Sequence, residues 1–583
     1  MKLNLEEAAI KNIGALLVLS FCALVLAKAL LSLKFQSPWL LPDEVAYAKM
    51  AGDIFGSVHS ELSRGYPFLL SIAYVFSEDM SVVYHLMLLI NCFLSSLILF
   101  PSFFILNKYC PRDFSFAGAI TIAALPSLTL YSFLITTENL FVPLFVFSIW
   151  FLLEAYETEK PFWIALAISS VLLLFFSRHT GIFMMAAMAG SLVYYLLSGK
   201  RSGYVRQIAL RKWTYLIFIV LFISLLALFG LALTGSDRIS YFNWFYNRVN
   251  VDGQIFLNLF KDGNLMKEFL VLLRNEVGYL IIASYFIFSY IFILFFSKLF
   301  FASFWQNRSP NISIFFNSLG RRKGLALKTV AIYYLLASAI LILTTTMAVY
   351  RLQQEIIGRY IDPIIPGLFL FGFIGLCHLH NASEKQDLRV VAILTIIFAS
   401  IFFNSYPILT PNIITIYYIN FLKSLAPNWI IFPALAAGFF LLLHSNKNMG
   451  VSRRIFFAVL IIFSVCTSAY IYHADLVFHS KSNYEQNQIG DYLSSHFTED
   501  MQVIMDENDV QKDWYFESMT GFWLKSELMS RFIPENLSDL KSDKEKIYLI
   551  TSKVLPLEPL AVSTRGYYLY YYNSKLLNNN TYG

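Results

Sequence analysis

The chain has 583 residues, of which 57% are hydrophobic and only 14% charged, with mean hydropathy +0.60 and formal net charge +6. Soluble domains average about 25% charged residues, so a soluble enzyme is excluded and a polytopic α-helical membrane protein is required. No nucleic-acid motif accompanies the positive charge; the Lys and Arg residues sit in short loops between apolar runs and read as topology signals.

The first apolar run, 13–33, is too long for a signal-peptide core and lacks a small-x-small cleavage site, so it is read as a retained anchor. A loop over 34–82 follows. Further runs lie near 83–106, 115–134, 139–154, 161–177, 180–197, 213–234, 277–299, 329–349, 360–378, 389–404, 429–444 and 455–472. At about 16 to 25 residues per span this predicts about thirteen transmembrane helices. With the N-terminus inside, the inner loops carry Lys108, Arg112, Lys160, Lys200, Arg201, Arg206, Arg211, Lys212, Arg321, Arg322, Lys323, Lys328, Lys385, Arg389, Lys447, Arg453 and Arg454, whereas the short outer loops are nearly free of positive charge. The same count puts the loops 34–82 and 235–276 outside, and with them the tail after residue 472.

The tail, 473–583, has a different pattern. "IGDYLSSHF" reads as a helix, "MQVIMDEND" as a strand entering a turn, and "KIYLITSK" and "GYYLYYYN" as strands. This predicts a small extracytoplasmic α/β domain of about 110 residues, next to a transmembrane catalytic module over 1–472. The tail has no phosphate-binding glycine loop, and a capping or acceptor-docking role is its plain reading. Cys22, Cys92, Cys110, Cys377 and Cys466 form no CxxC pair, and the tail has no cysteine, so neither a disulfide framework nor a Cys-based metal site is expected.

The unusual polar residues gather on the predicted outer side. They are Asp43 and Glu44 in "LPDEVAYAKMA", Arg64 in "SRGYP", Glu138 in "ITTENLF", Arg178 and His179 in "FFSRHTG", and Arg351 and Arg359 in "VYRLQQEIIGRYIDPIIP". Charge at such depth is costly and usually functional. Pro42 suits the first turn of a helix; Asp43 and Glu44 then sit by its positive end, with Tyr47 one turn on from Asp43. Each residue also has a structural reading: an acidic first turn for Asp43 and Glu44, a helix cap for Glu138, snorkelling arginines for Arg64, Arg178, Arg351 and Arg359, a packed interfacial His179. Asp362 is assigned a structural role.

Arginine clamps phosphate bidentately, and a carboxylate takes a proton from a hydroxyl. Together they suit a substrate with a phosphate head and a lipid tail, such as a polyprenyl-phosphate sugar. Its leaving group is already a phosphate, so one base with cations suffices, and a single displacement inverts the anomeric carbon. The two-carboxylate pattern of a hydrolase is not needed. No cofactor and no metal is expected.

These segments resemble motifs of the C-type glycosyltransferase superfamily, in the branch of protein O-mannosyltransferases and lipid A aminoarabinose transferases. "LPDEVAYAKMA" resembles its acidic first outer loop, "RGYPFLLSIAYVF" the segment that follows, "LPSLTLYSFLITTENLFVPLFVF" the third and fourth helices, and "GRYIDPIIPGLFLFG" a late helix start. The resemblance implies Asp43 as catalytic base, with Glu44 and Glu138 supporting it. It implies Arg64 and the Arg359–Tyr360 pair at the donor phosphate, where Arg178 also belongs by position and charge. Tyr47, Tyr66, His179 and Arg351 are candidate substrate contacts. The expected partners are a polyprenyl-phosphate sugar donor, membrane lipid, and a lipid, glycan or protein acceptor. Two other readings stand beside it: a transporter or flippase of lipid-linked sugars, and an O-antigen-ligase-like enzyme using a diphosphate donor.

Overall fold

A computed structural model describes residues 13–38, 42–53, 63–200, 253–255, 257–285, 287–300, 320–352, 358–378, 449–486, 488–496, 501–512, 520–523, 529–531, 533, 546–563 and 566–573. The predicted spans 213–234, 389–404 and 429–444 lie outside them, as do residues 235–252 and 256 of the 235–276 loop. Cα packing divides the chain into two compact units. One takes in Met1–Leu26, Cys92–Tyr131 and Thr137–Ile471; the other takes in Ala27–Asn91, Ser132–Thr136 and Tyr472–Gly583.

The helices run in chain order as α1 (Ile13–Ser32), α2 (Pro42–Gly52), α3 (Gly65–Leu70), α4 (Ile72–Phe76), α5 (Met80–Ser96), α6 (Leu99–Asn107), α7 (Arg112–Ala123), α8 (Pro126–Tyr131), α9 (Glu138–Thr158), α10 (Pro161–Ser177), α11 (Gly181–Lys200), α12 (Gly263–Ala283), α13 (Ile287–Phe300), α14 (Gly320–Leu352), α15 (Ile365–His378) and α16 (Met449–Ile471). Among the described residues, five stretches are long and apolar enough to cross a membrane: Ile13–Ser32, Met80–Asn107, Glu138–Thr158, Gly181–Ser198 and Arg322–Arg351. Pro161–Ser177, Asp362–Cys377 and Phe457–Ile471 are shorter apolar helices, as is Gly65–Phe76. On α1, Leu19, Leu26 and Leu30 are exposed, as a lipid-facing helix requires.

Several predicted spans are not single helices: 83–106 is divided between α5 and α6, and 360–378 opens with two 3-10 turns ahead of α15. The run 115–134 is split between α7 and α8 at Pro126, which cannot donate to the preceding turn. The run 277–299 is split between α12 and α13. There Tyr285 adopts the left-handed region at φ 54°, and the hydroxyls of Ser284 and Ser289 meet at 2.5 Å. No Gly or Pro marks that break. Tyr285 is locked instead by its hydroxyl, 3.0 Å from that of Ser464, and by its ring, edge-on to Phe463 and Phe369.

In the first unit α9 packs on α10 and α14, and α11 on α14. The contacts are aromatic, with a few hydroxyl bridges that an apolar interior makes specific: Ser148 to Tyr333 at 2.9 Å and Tyr156 to Ser191 at 2.9 Å. In the second unit, Ser37 and Ser480 are fully buried and exchange hydrogen bonds. Each hydroxyl donates to the other's carbonyl at 2.7 Å, and Ser480 also accepts from the Ser37 amide at 3.2 Å. Phe35 stacks on Phe133 and meets Tyr472 edge-on.

The tail carries α17 (Val477–Gln486), α18 (Gln488–His496) and α19 (Glu507–Lys512) with strands β1 (Met501–Asp506), β2 (Met529–Arg531), β3 (Lys546–Thr551), β4 (Pro559–Val562) and β5 (Tyr568–Asn573). The sheet order is β2-β1-β3-β5-β4, parallel across β2, β1 and β3 and antiparallel beyond. Alternation along β1 sends Val503 and Met505 to one core with Ile489 and Leu493 of α18, and Ile504 to the other. The tail thus carries a small C-terminal sheet with helices beside it. At the C-terminal ends of β1 and β3, buried Asp506 pairs with Lys553 at 2.8 Å. Asp509 accepts from the Ser552 amide and hydroxyl at 2.7 and 2.6 Å, which fastens α19 to the sheet.

Candidate active site

In the unit holding the first loop, Pro42 opens α2 and places Asp43 and Glu44 in its first turn. Asp43 is half-buried. Glu44 is fully buried and accepts the Ile135 amide at 2.8 Å. A buried carboxylate on a backbone N–H holds the 132–136 segment in place. Tyr47, one turn on, is buried and meets Tyr66 edge-to-face at 5.4 Å. The Tyr66 hydroxyl donates to Asn91 at 2.9 Å, and Asn91 donates to the Leu134 carbonyl at 2.8 Å. Glu44, Tyr47, Tyr66 and Asn91 thus brace one small region from two sides of the 132–136 segment. Arg64 stands immediately before α3 and is half-buried. The sequence reading passed over Asn91, an amide in an otherwise apolar helix, although a polar residue at membrane depth was itself the signal.

In the other unit, α9 begins at Glu138, which is only 2% exposed. Thr137 precedes it, but its side chain makes no cap bond to the helix; it lies 3.4 Å from the Glu138 carboxylate. Glu138 instead accepts from the Arg178 guanidinium at 2.8 Å. Arg178 occupies the apex between α10 and α11. A side chain at Gly181 would sit 2.3 Å from the backbone of Leu174 and Phe175, so only glycine permits a return this tight. The Gly181 amide closes the turn on the Arg178 carbonyl at 2.8 Å.

The third component comes from Gly358–Tyr360 and Asp362–Ile364, two short 3-10 turns ahead of α15. The Arg178 guanidinium lies 4.2 Å from the centre of the Tyr360 ring, and that of Arg359 lies 5.0 Å from the same ring. Arg359 also reaches the Tyr360 hydroxyl at 3.4 Å. Each distance is within cation–π range. Glu138, Arg178, Arg359 and Tyr360 therefore form one cluster, with Arg359 8% exposed. His179 shares the Arg178 turn and is half-buried; Arg351 lies in the last turn of α14, also half-buried. Residues 353–357, between Arg351 and Gly358, lie outside the described residues.

Asp362 is fully buried and accepts hydrogen bonds from two phenols. Tyr131 donates to one of its oxygens at 2.5 Å and Tyr279 to the other at 2.6 Å. Glu276, a second fully buried carboxylate, lies one turn before Tyr279 on α12 and drew no notice in the sequence reading. Among the described residues no group of three or more His, Cys, Asp or Glu is placed to hold a metal ion.

Two guanidinium groups gather on one tyrosine, and the Glu138 carboxylate orients one of them; guanidinium donors in such an array are chemically suited to an anion. No family model and no curated protein sequence matches the chain. Solved structures do. The chain is similar to ArnT from Cupriavidus metallidurans bound to undecaprenyl phosphate, with 14% identity and TM-score 0.51 over 95% of this chain and 97% of that one. The apo state of the same protein aligns with 15% identity and TM-score 0.51, covering 96% and 98%. The chain is a membrane protein by its apolar helices, with a fold similar to that of ArnT.

Proposed function

We propose that this chain is an integral membrane glycosyltransferase that moves one sugar from a polyprenyl-phosphate donor to an acceptor hydroxyl or amine. The observation that carries this reading is the Glu138–Arg178–Tyr360–Arg359 cluster. It gathers phosphate-binding groups at the ends of apolar helices, in a fold whose solved example holds undecaprenyl phosphate. The positive-inside pattern puts this end of the helices, the loop 34–82 and the C-terminal domain on the extracytoplasmic face, with the N-terminus in the cytoplasm.

In the proposed step the acceptor oxygen or nitrogen attacks the anomeric carbon from the side opposite the phosphate. The bond from that carbon to the phosphate oxygen breaks, and its electron pair stays on the phosphate. Asp43 takes the acceptor proton, and the configuration inverts. Arg178 and Arg359 hold the departing phosphate, with Tyr360 stacking both; the resemblance assigns Arg64 to the donor phosphate as well. Tyr47, Tyr66, His179 and Arg351 are assigned to substrate contact. The full burial of Glu44 and its bond to Ile135 assign it to holding the 132–136 segment, and the Arg178 contact assigns Glu138 to orienting that arginine. No step needs a cofactor or a metal. The acceptor is a lipid, a glycan or a protein.

The test is transfer by purified protein from a polyprenyl-phosphate sugar. Asp43→Asn should reduce turnover by about 10²–10⁴-fold, the range of general-base catalysis, and leave undecaprenyl phosphate binding intact. If the lipid-linked sugar instead crosses vesicles at the wild-type rate in this variant and no product forms in either protein, the flippase reading replaces the enzyme.

A further inference from the structure

The arginine–tyrosine cluster needs a fixed backbone beneath it, and three buried side chains distant in sequence supply one. Tyr279 grips the Gly358–Asp362 turn at both ends. Its ring lies against Gly358, where an added Cβ would come within 2.3 Å of it, and its hydroxyl donates to Asp362 at 2.6 Å. The Ile361 amide closes the turn between them on the Gly358 carbonyl at 2.9 Å. Arg359 and Tyr360 are the residues held in that span.

The other Asp362 oxygen closes a ring of contacts. It accepts from Tyr131 at 2.5 Å. The Tyr131 carbonyl accepts from Asn139 at 2.8 Å. Asn139 follows Glu138 at the start of α9, Glu138 holds Arg178 at 2.8 Å, and Arg178 stacks on Tyr360, two residues before Asp362. Every link is a hydrogen bond, an ion pair, a cation–π contact or a short covalent path. Tyr131, Tyr279 and Asp362 are each at most 2% exposed. A buried carboxylate bonded by two phenols has both oxygens engaged, so it serves to orient.

We propose that Asp362, clasped by Tyr131 and Tyr279, is a positioning residue for phosphate recognition: it sets where Arg359 and Tyr360 stand relative to Arg178, and so tunes the affinity for the phosphate head of the lipid carrier. This rests on the polyprenyl-phosphate reading above. Tyr279→Phe keeps the ring against Gly358 and removes only the hydroxyl. Tyr131→Phe does the same at the other oxygen.

The experiment is a double-mutant cycle on undecaprenyl phosphate binding by the full chain, with the thermal midpoint recorded for each variant. Tyr279→Phe should weaken binding about three- to tenfold, the scale of one hydrogen bond. Arg359→Ala should weaken it more, and the double variant should bind no worse than Arg359→Ala alone, because the tyrosine acts through the arginine. Losses that multiply in the double variant, or a lowered midpoint with unchanged affinity, overturn the assignment. Tyr131→Phe runs the same cycle if Tyr279→Phe does not fold. Wild-type protein that fails to bind undecaprenyl phosphate overturns the donor reading itself. Binding that is lost in Arg359→Ala but untouched in both tyrosine variants overturns only the role of Asp362.

Discussion

The helix α9 carries acid–base pairs at both ends, and the two ends are built differently. At its start Glu138 is 2% exposed and its ion-pair partner Arg178 14%, with Tyr360 stacked on the guanidinium. Beyond its middle Glu154 and Glu157 share Lys108 at 2.8 and 2.6 Å, and Lys323 approaches Glu157 at 3.8 Å. Arg322 reaches Glu159 at 3.0 Å while more than half exposed. One end is dry and depends on a single orientation. The other is wet and redundant, its acids sharing cations that are 22–54% exposed. Similar charges on one helix thus do different work, and burial decides which.

The largest effect should come from breaking the dry end. Glu138→Ala leaves the Arg178 guanidinium in a buried site without its carboxylate, a change that costs about 3–5 kcal/mol where a buried pair loses one partner. A thermal midpoint well below wild type, together with loss of undecaprenyl phosphate binding, is the expected result. A midpoint within experimental error of wild type would remove the contrast between the ends.

Next comes Gly358→Ala. The added methyl meets the Tyr279 ring at 2.3 Å, so the turn must lift or the ring must move. Overpacking of this kind costs about 1–3 kcal/mol. Midpoint and affinity should fall together, since the turn carries Arg359. A fall in midpoint alone would mean that the turn tolerates displacement without disturbing the arginine.

The sequence made the dry end partly visible. Glu138, Arg178 and Arg359 stand out as charges among apolar residues, and membrane depth makes such charges conspicuous. Tyr131 and Tyr279 did not stand out, because a tyrosine in an aromatic-rich run looks like ordinary packing, and their shared partner Asp362 is 231 and 83 residues away. The structural role that the sequence assigns to Asp362 does not reveal that two phenols, so distant in the chain, donate to it. The break at Ser284–Tyr285 was hidden for a related reason. Neither residue is a helix breaker, and the left-handed turn is imposed by contacts with Ser464, Phe463 and Phe369 that only the folded chain creates. In the tail, β1, β3 and β5 carry enough alternating apolar residues to be read, whereas β2 and β4, of 3 and 4 residues, do not.

At the wet end, Lys108→Met should cost about 1 kcal/mol or less. Lys108 is 22% exposed, and Glu157 keeps Lys323 near when Lys108 is gone. The difference from wild type should shrink between low and high salt, because exposed pairs are screened. A salt-independent loss as large as that of Glu138→Ala would show this end to be as dry in effect as the other.

The smallest effect belongs to Glu159→Gly, where opposing terms cancel. Glu159 caps α9 in the left-handed region at φ 55°, which glycine adopts without the roughly 1–2 kcal/mol cost of a side chain. Against that gain stand the half-exposed pair with Arg322, worth about 0–1 kcal/mol, and the Tyr195 hydroxyl that donates to the same carboxylate at 2.8 Å, worth about 1 kcal/mol. The sum is near zero, so the midpoint should stay close to wild type although a charge, an ion pair and a hydrogen bond are all removed. Glu138 lies at the other end of the same helix in ordinary helical backbone, so no relief of strain offsets its replacement. A large destabilisation by Glu159→Gly would mean that its carboxylate organises this end of the helices as Glu138 does the other, and that exposure alone does not separate a topological charge from an orienting one.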